Sequence, residues 1–532
     1  MNSGPKIPDL RTFLEDYEER NPADVVRITR PIKSRYETTV IAAQLEQMRR
    51  TPVLIFENVV NDDGRPFKYP LLSFLCASRE RMAYAVGADP KHLASFCAER
   101  KQRRIKPQVV SREAAPVKEV VKKGDEVDLL EFPVPVFHSK EPGPYITAGF
   151  ITCYQREGGT DNSSIQRGWI SGRNEIRFWL APGTHNYNIL REHEENGEDM
   201  PMAIWIGHHP AVIAGMNFGN EYGRSHYETA GGFIGQPLSL VPSETLGESF
   251  LVPSHAEIVI EGVHKCGLRK PEGPFGEFPR TLGEQRFNPV MEVTAVTHRR
   301  NPYWYGLVCG HVHWLTALLR EAEAFERVGK SVAGLANVYA PMSGCGQLTL
   351  YLQIHKRSEG EGKAALLPAL GIRSVKHVFV FDDDVNIFDE TEVLWAMATR
   401  VQADKDVLIV TNCLGTALDP SSLGMGYLTK MGIDCTRPLP RSKFPEVLSV
   451  PHAVIESTPV SNYISQEKLE KVPVDPFCAS ISSRKEDPEA GDVTCIGCGC
   501  AFPVSSEFTR LAKSYVHCPR CGKEFSIFGK SL

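Results

Sequence analysis

Between residues 116 and 315 the chain breaks into many short, β-prone apolar runs, and no other pattern limits the fold as tightly. The runs are Ile146–Tyr154, Ser164–Ile170, Glu175–Leu180, Ala203–Ile206, Ala211–Ala214, Glu257–Ile260 and Met291–Val296. Turn signals separate them, and Ser171-Gly172-Arg173-Asn174 reads as a hairpin turn. Strands this short and numerous need a common sheet that leaves few free edges. The spacing predicts a β-barrel or closed sheet with long loops.

The flanks read differently. Asp9 can cap a helix with Leu10, Phe13, Leu14 and Tyr17 on one face. A second helix follows, with Ile41, Leu45 and Met48 on its buried stripe, then a buried strand, Val53–Phe56. Residues 70 to 100 look helical again, and the basic run Glu99–Arg104 reads as a solvated helix end. From about residue 318 helix and strand alternate: helix Glu321–Val328, strand Val378–Phe381, a helix capped by Asp389, and strand Val407–Val410. Val393, Met397 and Val401 share one side of that capped helix. The order predicts a βαβ unit in a parallel sheet. Asp382-Asp383-Asp384 reads as the acidic end of a strand rather than a metal site. Residues 480–494 read as a polar linker. The fold class is therefore α/β plus β. Its expected parts are an N-terminal α/β domain (1–115), a central barrel domain (116–317), a C-terminal α/β domain (318–480) and a small terminal unit (490–532).

Composition narrows the function. A net charge of -5 argues against general nucleic-acid binding, which needs a basic field. The first 20 residues have no apolar core of signal-peptide length, and no run of 18 apolar residues exists. A cytoplasmic location without membrane attachment is the expectation.

Nine of the 14 cysteines are scattered, as buried small apolar residues are. The other five crowd the last 40 residues. Cys495-Ile-Gly-Cys498 and Cys518-Pro-Arg-Cys521 each present two thiolates at the spacing a tetrahedral zinc takes. So short a piece buries little core, and zinc binding would supply folding energy. Iron is the alternative metal, and Cys500 is not expected to be a ligand.

Pro271-Glu272-Gly-Pro-Phe-Gly-Glu277-Phe-Pro279 holds two carboxylates five residues apart in a stretch read as a stiff loop. If both face one cavity, one pKa must rise, which keeps an acid loaded with a proton near neutral pH. Solvated acids on a surface turn are the alternative. Asn162 and Arg167 lie on one β segment, but the odd spacing puts them on opposite faces of a flat strand. A turn or bulge near Ser163 would be needed to bring both to one site. His185 and Glu228 sit in other segments. Asn, His and Glu together suit a hard divalent ion such as Mn²⁺ or Mg²⁺. Spacing alone does not join them.

Taken in order, Asn162-x4-Arg167, His185, Glu228-Thr-Ala-Gly-Gly, Glu272-Gly-Pro-Phe-Gly-Glu277 and Lys430-Met-Gly-Ile-Asp434 resemble the UbiD-type decarboxylases. The resemblance runs from about residue 10 to 470. It implies a central flavin-binding split β-barrel, a C-terminal domain used for oligomer contacts, and homodimers or trimers of dimers. It implies prenylated FMN, made by a flavin prenyltransferase, with a divalent metal (Mn²⁺, or Mg²⁺ or Fe²⁺) and K⁺ at its phosphate. Carried over, Asn162, His185 and Glu228 bind the metal, and Lys430 meets the phosphate. Thr147, Ser164 and Ile165 touch the cofactor. Arg167, Glu272 and Glu277 form the catalytic set, with Glu277 delivering the proton that replaces CO₂ and Arg167 holding the carboxylate. The implied reaction is reversible, non-oxidative decarboxylation of an aromatic or α,β-unsaturated acid, or of an aryl-CoA thioester such as phthaloyl-CoA. The terminal zinc ribbon and Phe278-Pro279 depart from the family's usual pattern. Two other functions compete. A flavin reductase would need a nicotinamide site, and no GxGxxG follows a strand. A zinc-ribbon scaffold would need a basic patch that Lys513, Arg520, Lys523 and Lys530 only weakly supply.

Overall fold

The computed structural model describes residues 9–473, apart from 157–158, 442–443, 446 and 451, and five short strands beyond. The first helix, Leu10–Arg20, begins where the Asp9 carboxylate accepts from the Thr12 N–H at 2.8 Å. Its Leu10, Phe13, Leu14 and Tyr17 are buried, as the pattern predicts. A four-stranded sheet follows in the order Val25–Ile28, Val53–Phe56, Leu71–Ser73, Trp304–Tyr305. Its last strand comes from the far end of the central region and runs parallel to Leu71–Leu72. The boundary expected at residue 115 is therefore crossed by the fold.

Two readings of this region need correction. The second helix, Glu37–Gln47, buries Thr38, Thr39 and Ala42, while Met48 is 65% exposed at its C-cap. Ile41 and Leu45 are partly buried against the core as expected, so only Met48 falls off the stripe. Residues 70 to 100 open with the buried strand Leu71–Ser73 before the helices Arg79–Val86 and Leu93–Arg100.

The centre is a nine-stranded sheet. Its order is Asp161–Ile165, Gly149–Tyr154, Met200–Ile206, Ile258–Glu272, Arg286–His298, Glu175–Phe178, Gly168–Ile170, Tyr145–Ile146, and Val120–Lys123 also pairs with Arg286–His298. The end strands do not pair, so the expected closed barrel is an open, curled half-barrel. The 15-residue and 13-residue strands form its spine, with register shifts at Glu261/Gly262 and His264/Arg269. Bulges sharpen twist and bend a sheet. At the first, a Cβ on Gly262 would lie 2.2 Å from the Glu292 carbonyl, so only glycine fits. The hairpin read at residues 171–174 joins Gly168–Ile170 to Glu175–Phe178. Ala211–Ala214, read as a strand, lies in the helix Pro210–Asn217. Residues 210–216 are all buried, so neither periodicity could show.

The C-terminal sheet has the order Leu335–Tyr339, Thr349–Ile354, His377–Asp382, Tyr427–Asp434, Val407–Leu414. Thr349–Ile354, helix Glu361–Leu370 and His377–Asp382 make the parallel βαβ unit. The predicted unit, through the helix Glu390–Arg400, is corrected: Val407–Leu414 is an antiparallel edge strand, with the mixed exposure an edge allows. Asp382 ends its strand, as expected, and is buried among Arg400, Arg437 and Arg441 at 3.2, 3.4 and 2.6 Å.

Among the described residues no helix is long and apolar enough to cross a membrane. Cys495, Cys498, Cys518 and Cys521 lie outside the described residues. Strand Gly491–Thr494 pairs with Ala501–Val504, and Ser514–His517 with Glu524–Ile527, so each CxxC falls in sequence between paired strands. The stretch read as a linker supplies Arg484–Lys485 and Gly491–Thr494 to such pairs.

Candidate active site

The stretch 271–279 is not one loop. Glu272 ends the long central strand, its residue paired with Arg286. Gly273 then turns the chain at φ 88°, where a Cβ would lie 2.9 Å from the Glu284 carbonyl. Phe275–Gly276 and Leu282–Gly283 form a separate two-stranded hairpin. Glu277 begins the turn of that hairpin, its N–H donating to the Thr281 carbonyl at 2.8 Å.

Arg167 reaches both acids because the chain bends after the strand Asp161–Ile165. The bend lies at Gln166–Arg167, not near Ser163, and the next strand starts at Gly168. Arg167 Nε donates to Glu272 Oε1 at 3.1 Å and Nη2 to Glu272 Oε2 at 2.9 Å. Its Nη1 donates to Glu277 Oε1. The guanidinium is held between the rings of Trp179 and Phe275, at 5.3 and 5.2 Å. Glu272 is fully buried and accepts two more hydrogen bonds, from Tyr145 Oη at 2.9 Å and Asn288 Nδ2 at 2.7 Å. Sequence reasoning missed Tyr145, Asn288 and Trp179. Their only signal was a polar or aromatic residue within a β-rich run.

Burial pushes the Glu277 carboxyl above its ordinary value; Arg167 opposes the rise and Glu272 adds to it. This is the asymmetry expected of two close carboxylates, one clamped by four donors and one held by Arg167 Nη1. Glu277 also lines a cavity of about 610 Å³, together with His138, Lys140, Arg280, Cys309 and His311. Arg167 and Glu272 do not line this cavity, so it meets the clamp only through Glu277.

Asn162 and His185 come together on the other side of the strand: Asn162 Oδ1 lies 3.3 Å from His185 Nδ1. Burial holds the His185 imidazole below its usual value, so it keeps the lone pair a metal needs. Ser164 shares their face and accepts from Asn186 Nδ2 at 2.9 Å, while Asn186 Oδ1 accepts from Asn162 Nδ2 at 2.6 Å. Glu228 stands in the first turn of helix His226–Ile234. That helix is anchored by Asp161, which accepts from the N–H groups of His226 and Tyr227 at 2.8 and 3.1 Å. The glycines of Glu228-Thr-Ala-Gly-Gly have a packing reason: a Cβ on Gly232 would lie 2.2 Å from the Arg103 carbonyl. Amide oxygen, neutral imidazole and carboxylate make a donor set that fits a hard divalent ion. Among the described residues no group of three His, Cys, Asp or Glu side chains forms such a site by itself. Thr147 is buried and accepts from the Leu307 N–H at 2.8 Å, and Ile165 packs on the core. Lys430, expected at the phosphate, is buried against backbone carbonyls. Its ammonium donates to the Leu370, Ile372 and Arg373 carbonyls at 2.9, 2.6 and 3.4 Å, which takes up all three of its donors.

Three family profiles match in order. They are the 3-octaprenyl-4-hydroxybenzoate carboxy-lyase N-terminal domain (residues 17–101), Rift-related domain (108–312) and C-terminal domain (313–435). The chain belongs to the UbiD family. This UbiD-family carboxy-lyase is 31% identical over 81% of its length to anhydromevalonate phosphate decarboxylase of Methanosarcina mazei, covering 96% of that protein. The enzyme of the same name from Methanothermobacter thermautotrophicus is 31% identical over 77% of the chain and 94% of its own length. Among solved structures, the UbiD-class enzyme HmfF from Pelotomaculum thermopropionicum, in complex with FMN, superposes with a TM-score of 0.79. It is 34% identical, and the match covers 86% of this chain and all of that one. The apo 3,4-dihydroxybenzoic acid decarboxylase from Enterobacter cloacae gives 0.77 at 29% identity, covering 84% and 97%.

Proposed function

We propose that this UbiD-family protein catalyses the reversible, non-oxidative decarboxylation of an aromatic or α,β-unsaturated carboxylic acid with prenylated FMN. The observation that carries the reading is the Arg167 fork on Glu272 and Glu277 beside a cavity. Arg167 binds and orients the substrate carboxylate. Glu272, held by Tyr145 and Asn288, fixes the guanidinium plane. Glu277, its pKa raised by burial, delivers its proton to the carbon that loses CO₂. In carboxylation the same groups run in reverse. Prenylated FMN, when bound, supplies the electron sink that the departing CO₂ requires.

Asn162, His185 and Glu228 would hold Mn²⁺, or Mg²⁺ or Fe²⁺, with K⁺, at the flavin phosphate. Thr147, Ser164 and Ile165 would border the flavin, and Lys430 would join only after leaving its carbonyls. Aryl-CoA thioesters such as phthaloyl-CoA belong to the substrate field. So does a phosphorylated acid of the kind the Methanosarcina relative is named for. A cytoplasmic homodimer or trimer of dimers, supplied by a flavin prenyltransferase and carrying a structural zinc ribbon at Cys495, Cys498, Cys518 and Cys521, completes the reading.

The test is protein co-produced with a flavin prenyltransferase and offered aromatic and acrylic acids, free and as thioesters. CO₂ release from at least one is expected. Full turnover by Arg167→Ala or Glu277→Gln would remove the catalytic assignment.

A further inference from the structure

The cavity next to Glu277 is equipped for more than one carboxylate. Two acids stand close to it, and both are already satisfied. Glu141 Oε2 accepts from the N–H groups of Phe137 and His138 at 2.8 and 3.0 Å. Its Oε1 accepts from the Gly276 N–H at 3.3 Å and meets His138 Nδ1 at 2.9 Å. Glu46 meets His311 Nδ1 at 2.7 Å and accepts from the Val312 N–H at 2.5 Å. The cations are in the opposite condition. Lys140 and Arg280 line the same cavity, and among the described residues neither ammonium nor guanidinium has an ion pair or hydrogen bond. Arg280 follows Glu277 by three residues in one turn, its N–H donating to the Glu277 carbonyl at 3.0 Å. It keeps a left-handed backbone, φ 64°, that glycine adopts more easily.

His138 and His311 add to this. Their rings stack with centroids 6.4 Å apart, and each gives its Nδ1 edge to a carboxylate. The Nε2 edges have no protein partner among the described residues.

We propose that Lys140 and Arg280, beside the stacked rings of His138 and His311, form a subsite for a second anionic group on the substrate. The preferred acid is thus a dianion, its second charge a carboxylate or phosphate pointing away from Arg167. This rests on the decarboxylase reading and narrows its substrate class. Lys140 and Arg280 are exposed at the mouth of the cavity, so an anion there would meet charges that make no ion pair within the described protein. It also fixes the orientation of the reacting carboxylate by a second point of attachment.

The experiment uses the holoenzyme and a matched pair, cinnamate and 4-carboxycinnamate, in two arms. Calorimetry measures binding of each acid, and CO₂ release gives KM and kcat. Inorganic phosphate is a third probe, separating phosphate from carboxylate preference as a competitor of the dianion. The dianion is expected to bind about tenfold more tightly than the monoanion. In Lys140→Gln/Arg280→Gln that preference collapses, while Arg280→Lys retains most of it. Equal binding of the two acids by wild type, or a double variant that weakens both alike, overturns the subsite. Release of no CO₂ from any acid defeats the decarboxylase reading instead, and the calorimetric preference still decides the subsite.

Discussion

Arg167→Lys tests the clamp most directly, because it keeps the charge and removes the fork. Arginine makes three hydrogen bonds here, two to Glu272 and one to Glu277. A lysine ammonium on a flexible stem cannot span both carboxylates, nor lie flat between Trp179 and Phe275. Two of the three charge-assisted bonds are lost, at about 1.5–3 kcal/mol each. Tyr145 and Asn288 still satisfy part of Glu272, and the retained charge recovers some of the rest. A net loss of about 3 kcal/mol in positioning is expected, close to a hundredfold in kcat/KM. The assay is CO₂ release by cofactor-loaded protein, with thermal unfolding run beside it to separate lost catalysis from lost folding. A variant within about threefold of wild type would show that the two-carboxylate fork does not position the acids.

Other expectations follow from the same geometry. Activity that needs protonated Glu277 should persist above the ordinary carboxylate range and fall as pH rises through its raised pKa; in Glu277→Gln, turnover should drop sharply and any residual rate should lack that basic limb in a pH–rate profile. Glu277 stabilises the fold less as pH climbs from its unfolded to its folded value, since the native state binds the extra proton; urea melts across that window should show the decline, and Glu277→Gln should flatten it. Gly276→Ala places a Cβ 2.6 Å from His138 Nδ1, so thermal melts should show a loss of about 1–3 kcal/mol and turnover should drop. His185→Ala should release flavin, read as lost visible absorbance in the purified protein.

The meeting of Arg167, Glu272 and Glu277 was legible from the order of the motifs. What brings Arg167 to the acids was not legible. Alternation along a strand gave the parity problem correctly but not the place where the chain bends. Tyr145 and Asn288 were invisible for a related reason: their roles arise from register between strands far apart in sequence. The fully buried helix at Pro210–Asn217 passed for a strand because neither face meets water. Lys430 was read by its motif alone, and the nearby helix-end carbonyls that hold it leave no mark in composition.

Glu272 rides the spine of the half-barrel, whereas Glu277 rides a two-stranded hairpin that no third strand joins. The two acids thus hang from separate elements, joined only through Arg167. A change in the hairpin at residues 275–283 moves Glu277 and pulls on the fork through Arg167 Nη1, while the strand holding Glu272 stays put.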